Sequence, residues 1–151
     1  GVLTVYTDST MRIPIKTIRV SVGKAGTETP TGTWTMHRAG RWQELMGPSW
    51  GQYGTHVVNG IFVHSVACGQ ANSYNLPVGE YLRLGNPASH GCIRACVADA
   101  KWVWDNCNGS KIHIFDGTYT SNEALKGPLG RKALTPLRGS KNFDPTDPAC
   151  K

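Results

Sequence analysis

At 151 residues with 39% hydrophobic side chains, the chain has room for one well-packed domain and not for two. No apolar run approaches a membrane span. The net charge of +6, from 16 basic and 10 acidic residues, is scattered rather than gathered into the cluster a nucleic-acid reader needs; such a balance suits polyanionic surroundings, a cell wall among them. Eighteen glycines and nine prolines with little helical periodicity predict a mainly β fold with many turns. The chain starts at Gly1 with neither initiator Met nor signal-peptide pattern, as a mature or trimmed fragment would.

Taken in order, Val2 to Tyr6 reads as a first strand, Asp8-Ser9-Thr10 as a turn, and Met11 to Val22 as a second strand. Its apolar set is Ile13, Ile15, Ile18, Val20 and Val22, with a kink near Lys16 and Pro14 at an edge or strand start. Gly23 to Gly32 is a polar loop containing Thr29-Pro30-Thr31-Gly32. Strands follow at Thr33 to His37 and Arg41 to Met46, the latter ended by Gly47-Pro48. His56-Val57-Val58 and Ile61-Phe62-Val63-His64 flank Asn59-Gly60, a strong hairpin signal. Residues 65 to 88 form a long connection of the kind that serves as a lid or binding loop, with Tyr81 to Leu84 its strand-like part. Val97 to Asn106 is the one convincing helix, with Val97, Ala100 and Trp104 on its buried face. Lys111 to Phe115 closes the strands, and a polar, Gly/Pro-rich tail is expected to wrap the surface without adding to the core.

Chemistry concentrates in Ser89-His90-Gly91-Cys92-Ile93-Arg94. A cysteine attacks as thiolate, and either a histidine partner or the start of a helix can favour that form. Gly91 permits the tight turn that leaves the thiol accessible. The competing structural reading is a buried cysteine in a turn.

Three separated pieces, Thr29-Pro30-Thr31-Gly32-Thr33-Trp34, Ile61-Phe62-Val63-His64-Ser65 and Ser89-His90-Gly91-Cys92-Ile93-Arg94 with its helix, together resemble the catalytic domain of the L,D-transpeptidases, the YkuD-type cysteine enzymes of bacterial peptidoglycan. The resemblance covers about Val2 to Asp116. It implies a sandwich-like mainly β domain over 1–116, followed by a polar extension over 117–151 packed on the same domain. It also implies 3-3 cross-linking of stem peptides through a cysteine thioester. Carried onto this chain, Cys92 is the nucleophile and His64 its base, and the Ser65 carbonyl orients His64. His90, Gly91 and Cys92 shape an oxyanion hole through their N–H groups, and Arg94 supports the site or holds a substrate carboxylate. The 24 residues between His64 and Ser89 (65 to 88) exceed the family's usual spacing, which bears on the lid and acceptor preference.

Beside these assignments stand plainer ones. Trp50, Tyr53 and Tyr74 could line the substrate cleft or simply pack; Arg94 could pair with an acidic neighbour; His37, His56 and His113 read as structural, and Lys24 and Arg83 as solvated. The resemblance carries carbapenem inhibitors as ligands and a monomer without cofactor, metal, nucleic-acid partner or membrane span. An L,D-carboxypeptidase, an enzyme attaching proteins to the wall, a non-catalytic wall-binding module and a zinc-dependent hydrolase are the alternatives. The five cysteines, at 68, 92, 96, 107 and 150, suggest two disulfides, one free thiol and a secreted, wall-associated protein. Zinc is the poorer explanation, because no C-x2-C pair occurs. Cys96 and Cys107 bracket the helix, about 11 residues or roughly 16 Å apart, beyond the roughly 7 Å a disulfide tolerates. The open pairings are Cys68–Cys96 with Cys107–Cys150, which is favoured, and Cys68–Cys107 with Cys96–Cys150.

Overall fold

The computed structural model describes residues 1–116, 129, 132–139 and 142–150; the start of the expected C-terminal extension, 117–128, lies outside them. Strands β1 (Val2–Tyr6) and β2 (Pro14–Arg19) pair antiparallel across a turn in which Thr10 N–H donates to Asp8 Oδ1 at 2.9 Å. The register slips where β2 passes Ile15. A one-residue slip exchanges the faces of a strand. Ile13 and Ile15 therefore face solvent, at 61% and 51% exposure, while Ile18 and Val20 are buried, so the expected apolar set divides at the kink.

β3 (Gly32–Thr35) pairs with β10 (Lys111–Ile114), whereas β4 (His37–Arg38) pairs with β7 (Thr55–Val58). The single strand expected over 33–37 thus changes sheet at buried Met36. β5 (Trp42–Leu45) and β6 (Ser49–Gln52) form a separate hairpin. The Asn59-Gly60 turn joins β7 to β8 (Ile61–Ser65), with Asn59 at φ 49° in the left-handed region that asparagine tolerates. β8 lies second from the edge of a four-stranded sheet ordered β4-β7-β8-β9, and β9 (Ile93–Ala95) runs parallel to it.

Two helices complete the described part. α1 (Val78–Leu82) occupies the stretch expected to hold a strand. Tyr81 and Leu84 are both buried while Leu82 is 56% exposed, a spacing of three that belongs to a helical turn and not to an alternating strand. α2 (Val97–Asn106) has the expected bounds, and it buries Val97, Ala100 and Val103, with Trp104 only partly covered. These pack with Val63, Ile93 and Ala95 from one face of the four-stranded sheet in the main core. Burying a side chain such as Val103 contributes about 1.5–3 kcal/mol.

A second core gathers Val66, Leu76, Tyr81, Leu84 and Cys96, and the tail enters it through Leu134 and Leu137. Phe143 is buried as well, so the tail does add to the interior, contrary to its polar composition. It also caps α2. Cys96 holds the N-cap position without a side-chain cap bond, and the capping oxygens come from the tail. Val97 N–H donates to Asp144 Oδ2 at 2.8 Å and Ala98 N–H to Thr146 Oγ1 at 3.1 Å.

Neither expected disulfide pairing is formed, and all five cysteines stand as free thiols. The tail docks on the N-terminal end of α2, opposite the end where Cys107 sits, which removes the reason for a Cys107–Cys150 bridge. Cys96 Sγ instead donates to Asp99 Oδ2 at 3.2 Å, and Asp99 in turn pairs with Lys16 at 3.2 Å. Burial pushes the Cys68 and Cys96 thiols up to about 11. Among the described residues no helix is long and apolar enough to cross a membrane.

Candidate active site

The parallel pairing of β8 with β9 places His64 opposite Arg94 and Val63 opposite Ile93. Strand residues alternate between faces. Val63 and Ile93 therefore turn to the main core, Phe62, His64 and Arg94 share the other face, and Cys92 immediately precedes β9.

His64 is buried, at 1% exposure. β6 lies against it, and the contact is close: a Cβ added to Gly51 would stand 2.6 Å from His64 Nδ1 and 2.8 Å from Cγ. Only the residue without a side chain fits there. Nδ1 bonds the Ser65 carbonyl. A carbonyl only accepts, so Nδ1 carries the proton and Nε2 is left as a base. Ser65 is itself fixed, its Oγ accepting the Gln52 N–H at 2.8 Å. Burial depresses the His64 pKa to about 4; the Ser65 carbonyl opposes this and the Arg94 charge adds to it. The imidazole is accordingly neutral at neutral pH.

Cys92 Sγ accepts from Phe62 N–H and faces the Gly60 carbonyl, each at 3.5 Å. Burial raises its pKa, while the Phe62 N–H and the Arg94 charge pull the other way. At rest Cys92 is therefore a thiol, held at the Phe62 N–H two residues before the neutral His64 imidazole on β8. The helix start considered as an activating group lies too far along the chain, because β9 intervenes and α2 begins only at Val97.

The turn before Cys92 is held by Ser89, whose Oγ accepts Gly91 N–H at 3.1 Å and donates to Cys92 O at 2.6 Å. Gly91 sits at φ 128° and a Cβ there would meet Ile61 Cδ1 at 2.8 Å. Because Ser89 engages the Gly91 N–H, the His90 and Cys92 N–H groups are the ones left for an oxyanion. The His90 side chain is exposed.

Arg94 Nη1 bonds Glu80 Oε2 at 2.9 Å, the acidic-neighbour alternative, which ties α1 to the site face. Trp50 is half-buried, its backbone bridged to Cys68 by two bonds of 2.8 Å. Tyr53 is 6% exposed, edge-on to Trp104 at 5.5 Å and covered by the Arg41 guanidinium at 4.0 Å; it belongs to the core and offers no face to a cleft. Tyr74 packs on Phe143 at 5.6 Å. His56 bonds Asn59 O and His113 bonds Thr33 Oγ1, both structural contacts. Sequence reasoning missed Gly51, Glu80 and the Phe62 N–H. Gly51 and Glu80 reach the site from other elements, so nothing local marks them, and Phe62 on β8 acts through its backbone N–H, which carries no side-chain signature.

The family model for the YkuD L,D-transpeptidase catalytic domain matches residues 2–126. Among solved structures, an L,D-transpeptidase from Mycobacterium smegmatis superposes with a TM-score of 0.55 at 22% identity, covering 76% of this chain and 54% of that one. LD transpeptidase LdtMt1 in complex with imipenem gives 0.51 at 24% identity, over 68% and 50%. Both share this mainly β fold, and the chain spans about half the length of each. The curated YciB protein of Bacillus subtilis (strain 168), which bears the L,D-transpeptidase name provisionally, is 59% identical over 27 residues, 18% of this chain and 14% of that protein.

Proposed function

Because this chain belongs to the YkuD family of L,D-transpeptidase catalytic domains, we propose that it forms 3-3 cross-links between peptidoglycan stem peptides through a thioester on Cys92. The observation that carries the proposal is the Cys92 thiol held against β8 at the Phe62 N–H, two residues before buried His64, whose Nδ1 is committed to the Ser65 carbonyl.

In this reading Cys92 Sγ attacks the carbonyl carbon of the donor's terminal peptide bond, and His64 Nε2 takes the thiol proton. The neutral imidazole supports base catalysis during attack. Collapse of the tetrahedral adduct breaks the C–N bond, and the imidazolium returns the proton to the leaving D-amino acid. An amine of a second stem peptide then attacks the thioester, restoring the thiol. With water as acceptor the same site acts as an L,D-carboxypeptidase. Stem peptides lie outside the cell membrane, so we place the protein at the wall, where its +6 charge meets polyanionic polymers.

The test is mass spectrometry of the purified chain with a disaccharide-tetrapeptide and, separately, with imipenem, the ligand of LdtMt1. Cross-linked dimer, released D-residue and an imipenem adduct on Cys92 are expected. Cys92→Ser should lose all three. Dimer formed by Cys92→Ser at a comparable rate would overturn the proposal, and D-residue release without dimer would make the protein a carboxypeptidase.

A further inference from the structure

The loop between β2 and β3 bonds the nucleophile turn at two carbonyls. Thr29 Oγ1 donates to Gly91 O at 2.6 Å and accepts Gly23 N–H at 2.9 Å, so both roles of the hydroxyl are filled. Thr27 Oγ1 donates to Ser89 O at 2.9 Å, and Lys24 N–H donates to the same oxygen at 3.0 Å. The loop is drawn tight enough that a Cβ on Gly23 would fall 2.0 Å from Thr27 O.

These are not arbitrary carbonyls. A trans peptide unit is planar, with its C=O and the following N–H pointing in opposite directions. Holding Gly91 O therefore fixes the direction of the Cys92 N–H, and holding Ser89 O fixes that of the His90 N–H. Both carbonyls are bound by the same loop, so both N–H groups point away from it. The intervening Gly91 N–H is the one engaged by Ser89 Oγ. What remains is a pair of backbone donors aimed by side-chain hydroxyls from a loop more than 60 residues away in the chain.

Resting on the acyl-transfer reading above, we propose that Thr29 is a positioning residue for the oxyanion hole. Its hydroxyl holds the Gly91–Cys92 peptide with the Cys92 N–H directed at the oxygen that gains charge when Sγ adds to a carbonyl. Thr27 does the same for the Ser89–His90 peptide, with Lys24 N–H sharing the load.

Two reactions of one thiol separate this role from general support. Acylation by imipenem adds Sγ to a carbonyl, opens the β-lactam C–N bond and needs the oxyanion donors. Alkylation by iodoacetamide displaces iodide and makes no oxyanion. Thr29→Val keeps the shape and removes the hydroxyl. It should slow acylation about ten- to a hundredfold, somewhat less than outright loss of a donor, with alkylation within about twofold of wild type and most acylation restored in Thr29→Ser. Thr27→Val, whose carbonyl partner keeps the Lys24 bond, should show a smaller loss of the same selectivity; it carries the test should Thr29→Val not fold. Acylation and alkylation falling together, or neither falling, would overturn the assignment. The wild-type arm tells the two claims apart: a wild-type thiol that is alkylated but never acylated overturns the acyl-transfer reading and this assignment with it, whereas normal wild-type acylation matched by Thr29→Val overturns Thr29 alone.

Discussion

At the level of single residues, His64 is held neutral by its surroundings, and that has a measurable consequence for stability. Its pKa falls from 6.5 to about 4 on folding, mainly through burial. Between those values the unfolded chain binds a proton here that the folded chain refuses, so the unfolded state is favoured as pH drops. Stability should decline through the window from pH 6.5 to 4, by up to about 3 kcal/mol at its acid end. Asp144 works in the opposite sense, because burial raises its pKa. Comparing wild type with His64→Gln in urea titrations across this range isolates the histidine: the variant should lose the decline, and equal slopes would contradict the burial argument. The two short motifs that carry His64 and Cys92 were legible in the sequence, and the parallel pairing of β8 with β9 sets them on adjoining strands. The neutrality of the pair was not legible, since it depends on β6 closing over the ring at Gly51 and on a charge from β9.

Elements show the same division. The Asn59-Gly60 hairpin and α2 were legible because a turn dipeptide and a helical face are encoded within a few residues. The strand expected at Tyr81 to Leu84 misread an apolar pair spaced by three, and β6 lacks any alternation to announce it. The capping of α2 was half legible. Cysteine is a poor N-cap residue, and the structure supplies Asp144 and Thr146 from a segment 47 or more residues away. Asp144→Ala should therefore destabilise the protein by about 1–2 kcal/mol in urea unfolding, with Asp144→Asn retaining part of the loss. Helix stability indifferent to Asp144→Ala would mean that water caps α2 equally well.

For the whole molecule the tail is the deciding segment, because Leu134 and Leu137 pack on the second core of Tyr81 and Leu84, and Phe143 is buried with its ring against Tyr74. Phe143→Ala should cost about 3–5 kcal/mol, as large-to-small changes at buried aromatics do; a midpoint unchanged in thermal melting would show that the tail only decorates the surface. Composition pointed the other way, since a Gly/Pro-rich polar segment carries few apolar residues and its few anchors have no periodicity. The cysteine count misled for a related reason: number and spacing suggest bridges, while only packing shows Cys96 turned to Asp99 and the tail docked away from Cys107. The sequence by itself determined the family, the mainly β class, the turn from Ser89 to Cys92 and the helix after it, because each is written in residues adjacent along the chain. Tertiary structure alone decided which atoms press on His64, which hydroxyls aim the Cys92 and Ser89 peptides, where Arg94 finds its carboxylate and what caps α2. Burial, charge and hydrogen bonding at an atom sum over neighbours in space, and here those neighbours come from loops and strands far apart in sequence.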